Sequence, residues 1–461
     1  MRHVFGQQSG NGSSAHRRLA KANPFVFVPL PLYNRTMKFI TDLHIHSKYS
    51  RAVSQKMTLE NLGYWAQIKG VTVLAVSDFT YPRWFSEIKE KLEEAEPGLF
   101  KLKRELIKKD NLADSSKTRF VLGTELSSIY SKKGGVRRIH NLVFLKKLSS
   151  VEKFNQLLES RGFNLRSDGR PILGLDSKDL LKIILDIEPE TGCLIPAHAW
   201  TPWFSVFGSM SGFDSLTECF DELTPHIFAI ETGLSSDPQM NWRLSSLDKI
   251  ALISNSDSHS LERIGREANV FDIELSYDAI FRAIKEKDQK KLLFTIEYFP
   301  EEGKYHFDGH RLCKVNFSPS QTKEHKGLCP ACGRKLTIGV MNRVEALADR
   351  KEGFVLANAP TFKNLVPLDQ IIAEALGVGS ASKKVKDAYF ALVQNLGNEL
   401  NILLDTSIQE IARYSNDKVA RGVELVRQGA IELVPGFDGE YGKVKIFTEA
   451  EIHEQKQTTL F

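Results

Sequence analysis

Between residues 38 and 300 the hydrophobic positions alternate between two periods. Apolar runs of strand length occur at Lys38–His46, Val71–Asp78, Phe120–Ile129, Ile139–Leu145, Leu194–Trp200, Ile227–Thr232, Ile250–Asp257 and Leu292–Tyr298. Between many of them apolar residues recur every three to four positions, as in Leu59–Lys69, Trp84–Glu94, Ser177–Ile187 and Tyr277–Lys287. That spacing predicts helices with one buried face. Strand followed by helix, repeated, predicts parallel strands joined by crossover helices. So many units predict a barrel, in which chemistry gathers at the C-terminal strand ends.

Those ends carry the chemistry. The first run closes on His44 and His46, two residues apart and hence on one strand face. The next ends contribute Asp78, Glu125, His198 and the pair Asp257 and His259, while His140 stands near the beginning of its run. Each has an ordinary reading: a carboxylate caps a helix, and a histidine sits satisfied in a core. Taken together, buried imidazoles and carboxylates in this number need partners, and divalent cations supply them.

After Pro300 the pattern changes. Cys329 and Cys332 form a C-x2-C knuckle followed by Gly333, and His310 and Cys313 repeat the spacing. The expectation is one structural zinc on His310, Cys313, Cys329 and Cys332, with His306, Asp308 and His325 as fallback ligands. Helical spacing then returns at Arg343–Lys351, Leu368–Leu376, Lys383–Asn395, Ile408–Tyr414 and Lys418–Gln428. The turn Gly377–Ser382 precedes one of these helices, either as a phosphate-holding N-terminus or as an ordinary capped turn. The expected organisation is residues 1–37 as a disordered leader or misplaced start, 38–300 as the catalytic barrel, and 301–344 as the zinc module. Residues 345–450 follow as a helical region, and 451–461 as a flexible tail.

Composition adds less. Charged residues make up 26% of the 461, and the net charge of +5 permits a nucleic-acid partner without requiring one. No apolar run is long enough to cross a membrane as a helix. Cys193 and Cys219 stand alone in apolar stretches and read as reduced core thiols in a cytoplasmic setting.

The order H-x-H, D, E, H, H, D-x-H on a βα barrel resembles the polymerase and histidinol phosphatase (PHP) superfamily. The resemblance implies two or three divalent ions (Zn, Mn or Mg) and hydrolysis of phosphate esters. The ligands would be His44, His46, Asp78, Glu125, His140, His198, Asp257 and His259. Glu125 is expected to bridge two ions, with His44, His46 and Asp257 on one and His140 and His198 on the other. Asp78 and His259 would hold a third ion or position water and leaving group. The second motif departs from the family pattern, because Phe79 follows Asp78 where a histidine is usual.

With D-G-H-R-x-C, C-P-x-C-G, the helices and P-G-F-D-G-E-Y-G at Pro435–Gly442, the chain resembles endonuclease Q. That resemblance implies nicking of double-stranded DNA on the 5′ side of deaminated bases (uracil, hypoxanthine, xanthine) or abasic sites, by a nucleoid-associated enzyme. Glu125, Asp257 and His259 would be catalytic. Trp200, Trp203 and Phe204 would stack on an extruded base or merely pack a loop, and Glu231 would read a base edge or sugar. The metal set also suits a small-molecule phosphoesterase, and a non-catalytic DNA-binding scaffold is the remaining alternative. Finally, Q-T-T-L-F at the end of the chain is similar to the pentapeptide that binds the bacterial sliding clamp, through Gln457, Leu460 and Phe461.

Overall fold

A computed structural model describes residues 37–448, which all belong to one contact unit, Thr36–Phe461. The leader and the clamp-like tail with Gln457, Leu460 and Phe461 lie outside the described residues.

Thirteen strands build the first part: β1 (Met37–Asp42), β2 (Val73–Ala75), β3 (Leu92–Glu96), β4 (Leu99–Leu102), β5 (Arg119–Val121), β6 (Gly123–Lys132), β7 (Gly135–Phe144), β8 (Ile172–Leu173), β9 (Cys193–Pro196), β10 (Ala229–Glu231), β11 (Ala251–Ile253), β12 (Ala268–Ile273) and β13 (Leu292–Glu297). They do not form one uninterrupted parallel ladder. β1, β2 and β5 are parallel, as alternation with helices requires. β12 and β13 instead pair antiparallel on the other side of β1. β6 and β7 form a hairpin closed by Lys133 and Gly134, both with positive φ, the geometry of a two-residue turn. β8 and β9 flank that hairpin, and β10 pairs only with β11. The parallel barrel expected from periodicity is therefore replaced by a mixed set of ladders.

Single backbone bonds link these ladders edge to edge. Leu145 N donates to Leu122 O (3.3 Å), Ala199 N to Glu231 O (2.9 Å) and His46 N to Ser258 O (2.9 Å). β2, β5, β10 and β11 are only three residues long; β10 ends on Glu231, and Asp78 and Asp257 follow within four residues of the ends of β2 and β11. The ladder ends meet around Glu125. The antiparallel direction of β7 explains why His140, early in its run, joins residues that follow the ends of parallel strands.

The later modules lean on this frame. Strand β14 (Asp308–His310) pairs with β15 (Val315–Phe317) to start the cysteine module. β16 (Thr361–Asn364) adds to β13 in parallel, so the region after residue 344 extends the main sheet. Helices Leu368–Leu376, Lys383–Leu396, Glu399–Leu404, Ile408–Tyr414 and Asp417–Gln428 follow, and Glu399–Leu404 had no expected counterpart. The turn Pro435–Gly442 lies between β17 (Glu432–Val434) and β18 (Lys443–Lys445) and clasps the cysteine module. There Phe307 N donates to Gly436 O (3.0 Å), and Asp438 accepts from Arg311 N (2.6 Å) and Thr337 Oγ1 (2.7 Å). A Cβ on Gly442 would stand 2.0 Å from the Glu301 carbonyl oxygen, which is why that position tolerates only glycine.

Candidate functional site

β1 stops at Asp42, whose buried carboxylate accepts from Ser256 N (3.1 Å) and Gly265 N (2.9 Å). The chain continues extended, and His44 and His46 enter a fully buried space. Each histidine uses Nδ1 on a carboxylate. His44 Nδ1 lies 3.1 Å from both oxygens of Glu231, and His46 Nδ1 lies 3.1 Å from Asp78 Oδ1. Both rings therefore turn Nε2 inward. Nε2 of His44, Nε2 of His46 and Asp257 Oδ1 are buried without hydrogen-bond partners. Yet they face one another and Glu125: His46 Nε2 is 3.2 Å from Glu125 Oε2 and 3.1 Å from Asp257 Oδ1, and His44 Nε2 is 3.5 Å from Glu125 Oε2. Orphaned buried atoms converging in this way are the donor set of a divalent cation.

A second set uses the other oxygen of Glu125. Oε1 lies 2.7 Å from His140 Nδ1 and 3.2 Å from His198 Nε2, and His198 Nδ1 lies 3.2 Å from Thr201 Oγ1. Within each set the ligand atoms lie within 4.8 Å of one another. One carboxylate with an oxygen in each set has the layout of a two-ion centre. The residues present thus fit the metals that the fold implies, through histidines held by carboxylates as metal sites commonly require.

The electrostatics agree. Burial opposes charge on His44 and His46, yet Glu231, Glu125 and Asp257 around one and Asp78, Asp257 and Glu125 around the other hold both well above the usual histidine range. Burial likewise opposes ionisation of Glu125, but His140, Arg170 and His44 hold it well below the usual carboxylate range. His140 itself is pushed down to about 4, mainly by burial. Ser77, Asp78, His198, Phe204 and Asp257 all adopt positive φ without being glycine. Strain concentrated at one place is a mark of a functional site.

Several expected roles need correction. Asp78 stands behind His46, with its oxygens also taken by Ser47 N (2.7 Å) and Ser50 Oγ (2.8 Å), so it is no free ligand for a third ion. Phe79 is buried edge-on to Phe154, a core residue where the family pattern has an imidazole. His259 lies outside both sets, donating from Nδ1 to the Asp257 carbonyl oxygen (2.9 Å). Glu231 cannot read a base: it is fully buried and bonded to His44, His198 N (2.8 Å) and Asn255 Nδ2 (2.9 Å). Trp200 is also fully buried, donating to Asn241 Oδ1 (2.8 Å), and packs the core. Trp203 and Phe204 do reach the open side. Phe204 lies 4.7 Å from the His140 ring, and both line a cavity of about 730 Å³ that opens from His140 and His198. Its other walls include Arg263, Arg266, Tyr298, Lys304, Tyr305, Gln370 and Tyr441, so the sheet region, the cysteine module and the helical region all contribute.

Sequence reasoning missed Arg170, whose Nη1 lies 3.0 Å from Glu125 Oε2. Its signal was the D-G-R-P turn ahead of β8, which pairs beside Glu125 on β6.

In the cysteine module His310, Cys313, Cys329 and Cys332 cluster as a potential four-ligand site, with His310 Nδ1 3.4 Å from Cys332 Sγ. The knuckle turns through Gly333, whose φ is +71°, with Gly333 N donating to Cys329 O (2.8 Å). Although burial opposes it, the backbone N–H groups of Cys332 and Ala331 hold the Cys329 thiol down at about 6. The fallback ligands lie elsewhere. His306 is buried against Phe307, Asp308 accepts from Gly339 N (2.6 Å), and His325 stacks on Phe317.

Comparison with known proteins fits this geometry. Residues 367–430 match the family model described as the MJ0043 C-terminal domain. The chain is 30% identical to the uncharacterized protein YqxK of Bacillus subtilis over 424 residues, covering 88% of this chain and 99% of that one. It is 32% identical over 271 residues to the uncharacterized protein MJ0043 of Methanocaldococcus jannaschii, and the match spans only 33% of that longer relative. The lesion-specific endonuclease PfuEndoQ of Pyrococcus furiosus superposes with a TM-score of 0.78 at 29% identity, covering 90% of this chain and 97% of the other. A solved endonuclease Q bound to a 27-mer duplex with an abasic lesion at its active site gives 0.77 at 30% identity, covering 90% and 98%. Likeness of this extent spans 90% of the chain, and the chain belongs to the endonuclease Q family.

Proposed function

We propose that the protein is a metal-dependent DNA-repair endonuclease that nicks the phosphodiester bond 5′ to a damaged nucleotide. The observation that carries this reading is the pair of ligand sets sharing Glu125 and opening into a cavity walled by three modules. Two ions on His44, His46, Asp257 and Glu125, and on Glu125, His140 and His198, would activate a water and neutralise the phosphoryl and leaving oxygens. His259, beside Asp257 and outside both sets, is suited to orient that water or the leaving group. The His310, Cys313, Cys329 and Cys332 site would hold one structural zinc.

A cavity of about 730 Å³ accommodates a nucleotide turned out of the helix. Trp203 and Phe204 form the stacking wall, which makes uracil, hypoxanthine and xanthine, or an abasic sugar, the expected occupants. The relative solved with an abasic duplex supports this substrate class. The test is incubation with Mn²⁺, Mg²⁺ or Zn²⁺ and an end-labelled duplex carrying one uracil or abasic site, alongside a generic phosphate monoester. A single nick 5′ to the lesion is expected. Monoester turnover with intact duplex would favour a small-molecule phosphoesterase, and no turnover of either would leave a non-catalytic scaffold.

The reading extends to the tail. Q-T-T-L-F is proposed to tether the enzyme to a bacterial sliding clamp, raising its local concentration on nucleoid DNA. Among the described residues no helix is long and apolar enough to cross a membrane. Deleting Gln457–Phe461 should abolish clamp binding and leave nicking of a short oligonucleotide intact.

A further inference from the structure

Among the described residues Arg170 is the one arginine or lysine in contact with the shared carboxylate, and the way the chain delivers it is unusually constrained. The turn Ser167–Pro171 is fastened from two sides. Gly169 N donates to Tyr49 O (3.1 Å), and Ser127 N, two residues beyond Glu125, donates to Pro171 O (3.2 Å). Arg170 N is held by Asp168 Oδ1 (2.9 Å). At Gly169 a Cβ would stand 2.3 Å from Ser50 Oγ and 2.6 Å from Asp78 Oδ2, so only glycine lets the turn approach so closely. The result is a guanidinium fixed over Glu125 Oε2, the oxygen that belongs to the His44, His46 and Asp257 set.

Only one end of that guanidinium is engaged. Among the described residues Nη1 bonds Glu125, while Nε and Nη2 have no protein partner and remain in contact with solvent, the side chain being 27% exposed. An arginine kept for structure satisfies its fork on protein acceptors. Arg350 does so in this chain, with both terminal nitrogens on Asp248 and Nη1 also on the Trp242 carbonyl oxygen. A fork with free donors beside a two-ion site matches the geometry of a phosphate oxygen.

Resting on the endonuclease reading, we infer that Arg170 is a substrate-contacting catalytic residue. Its free N–H groups hold a non-bridging oxygen of the scissile phosphodiester against the ions. As the water oxygen gives up a proton to solvent and forms its bond to phosphorus, and the ester P–O bond breaks, negative charge grows on that non-bridging oxygen. The fixed guanidinium is placed to stabilise it, and the departing alkoxide takes a proton from solvent or a positioned acid. Glu125 serves as the resting partner that keeps the fork aimed when no phosphate is present.

The test compares Arg170→Gln and Arg170→Lys with the parent on the uracil-containing duplex, with inorganic phosphate as a competitor and with metal content measured on each purified protein. Losing one such donor typically costs about 10²–10³ in turnover. For Arg170→Gln we expect a kcat loss of that order, an inhibition constant for phosphate raised about tenfold, and unchanged metal content. Arg170→Lys should recover part of the rate, since it restores charge without the fork. A parent that does not nick overturns the endonuclease reading, and this inference with it. An active parent with Arg170→Gln within threefold of it, or with metal lost from the variant, overturns the inference alone.

Discussion

The protein holds two clusters of metal-type ligands, and they are built on opposite plans. The strand-end cluster is buried: His44, His46 and Glu125 are almost inaccessible, and Glu231 and Asp78 stand behind the histidines on their own strand-end segments. The cysteine cluster sits on turns and is mixed in depth, with Cys329 buried, Cys313 half-buried and Cys332 exposed. In the first, the fold positions the ligands, and bound ions would add chemistry. In the second, an ion would hold the turns together, so its binding free energy would be largely folding free energy. On the proposed reading the same residue types serve catalysis where a packed frame already orients them and stability where it does not.

That contrast can be broken or sharpened experimentally. The largest effect is expected at the barrel. Asp257→Asn should lower nicking by roughly 10³-fold or more, as loss of a metal ligand removes activation of the water, while the melting temperature stays within a few degrees. Quench-flow nicking and scanning calorimetry together check both halves. Next comes the cysteine module. Cys329→Ser with Cys332→Ser should lose one equivalent of zinc and open residues from Glu301 onward to protease, with the barrel fragment staying resistant. Unchanged zinc content and an unchanged digestion pattern would count against a structural role.

A smaller effect belongs to the carboxylates behind the ligands. Glu231→Gln leaves every ligand of the two sets in place but weakens the grip on His44 Nδ1 and the His198 backbone. Metal affinity should fall about 10–100-fold, measured by competition with a chromogenic chelator. Equal affinities would show that the buried carboxylate has no part in orienting His44. Smallest is Trp203→Ala. Loss of stacking costs about 1–3 kcal/mol per base, so uracil substrates should bind more weakly while abasic substrates change little. Equal losses on both would assign Trp203 to loop packing against Tyr305.

Much of this centre was legible as strand-end chemistry. His44, His46, Glu125, His198 and Asp257 stand out because apolar runs close on them, and the structure brings them together with His140. What was not legible depends on direction and depth. Periodicity reads a strand but not its orientation, so the Lys133-Gly134 hairpin was hidden within an apparent succession of parallel units. Trp200 and Glu231 follow or close strands as the ligands do, but burial turns one into core and the other into a prop for His44. Helix Glu399–Leu404 has its apolar positions in so short a span that no period is established, and its capping Asn398 was the only signal. Arg170 lies in a turn with no periodicity at all, and its role emerges only from the pairing of β8 with β6.

The central claim is that one carboxylate, Glu125, joins two ions into a working centre. Metal counting on the parent and on Glu125→Gln, each loaded to saturation and desalted, tests it most directly. The account predicts that the variant loses both barrel ions together, keeps its one zinc and no longer nicks the uracil duplex. A variant that keeps two barrel ions, or that loses them and still nicks at the parent rate, would contradict it.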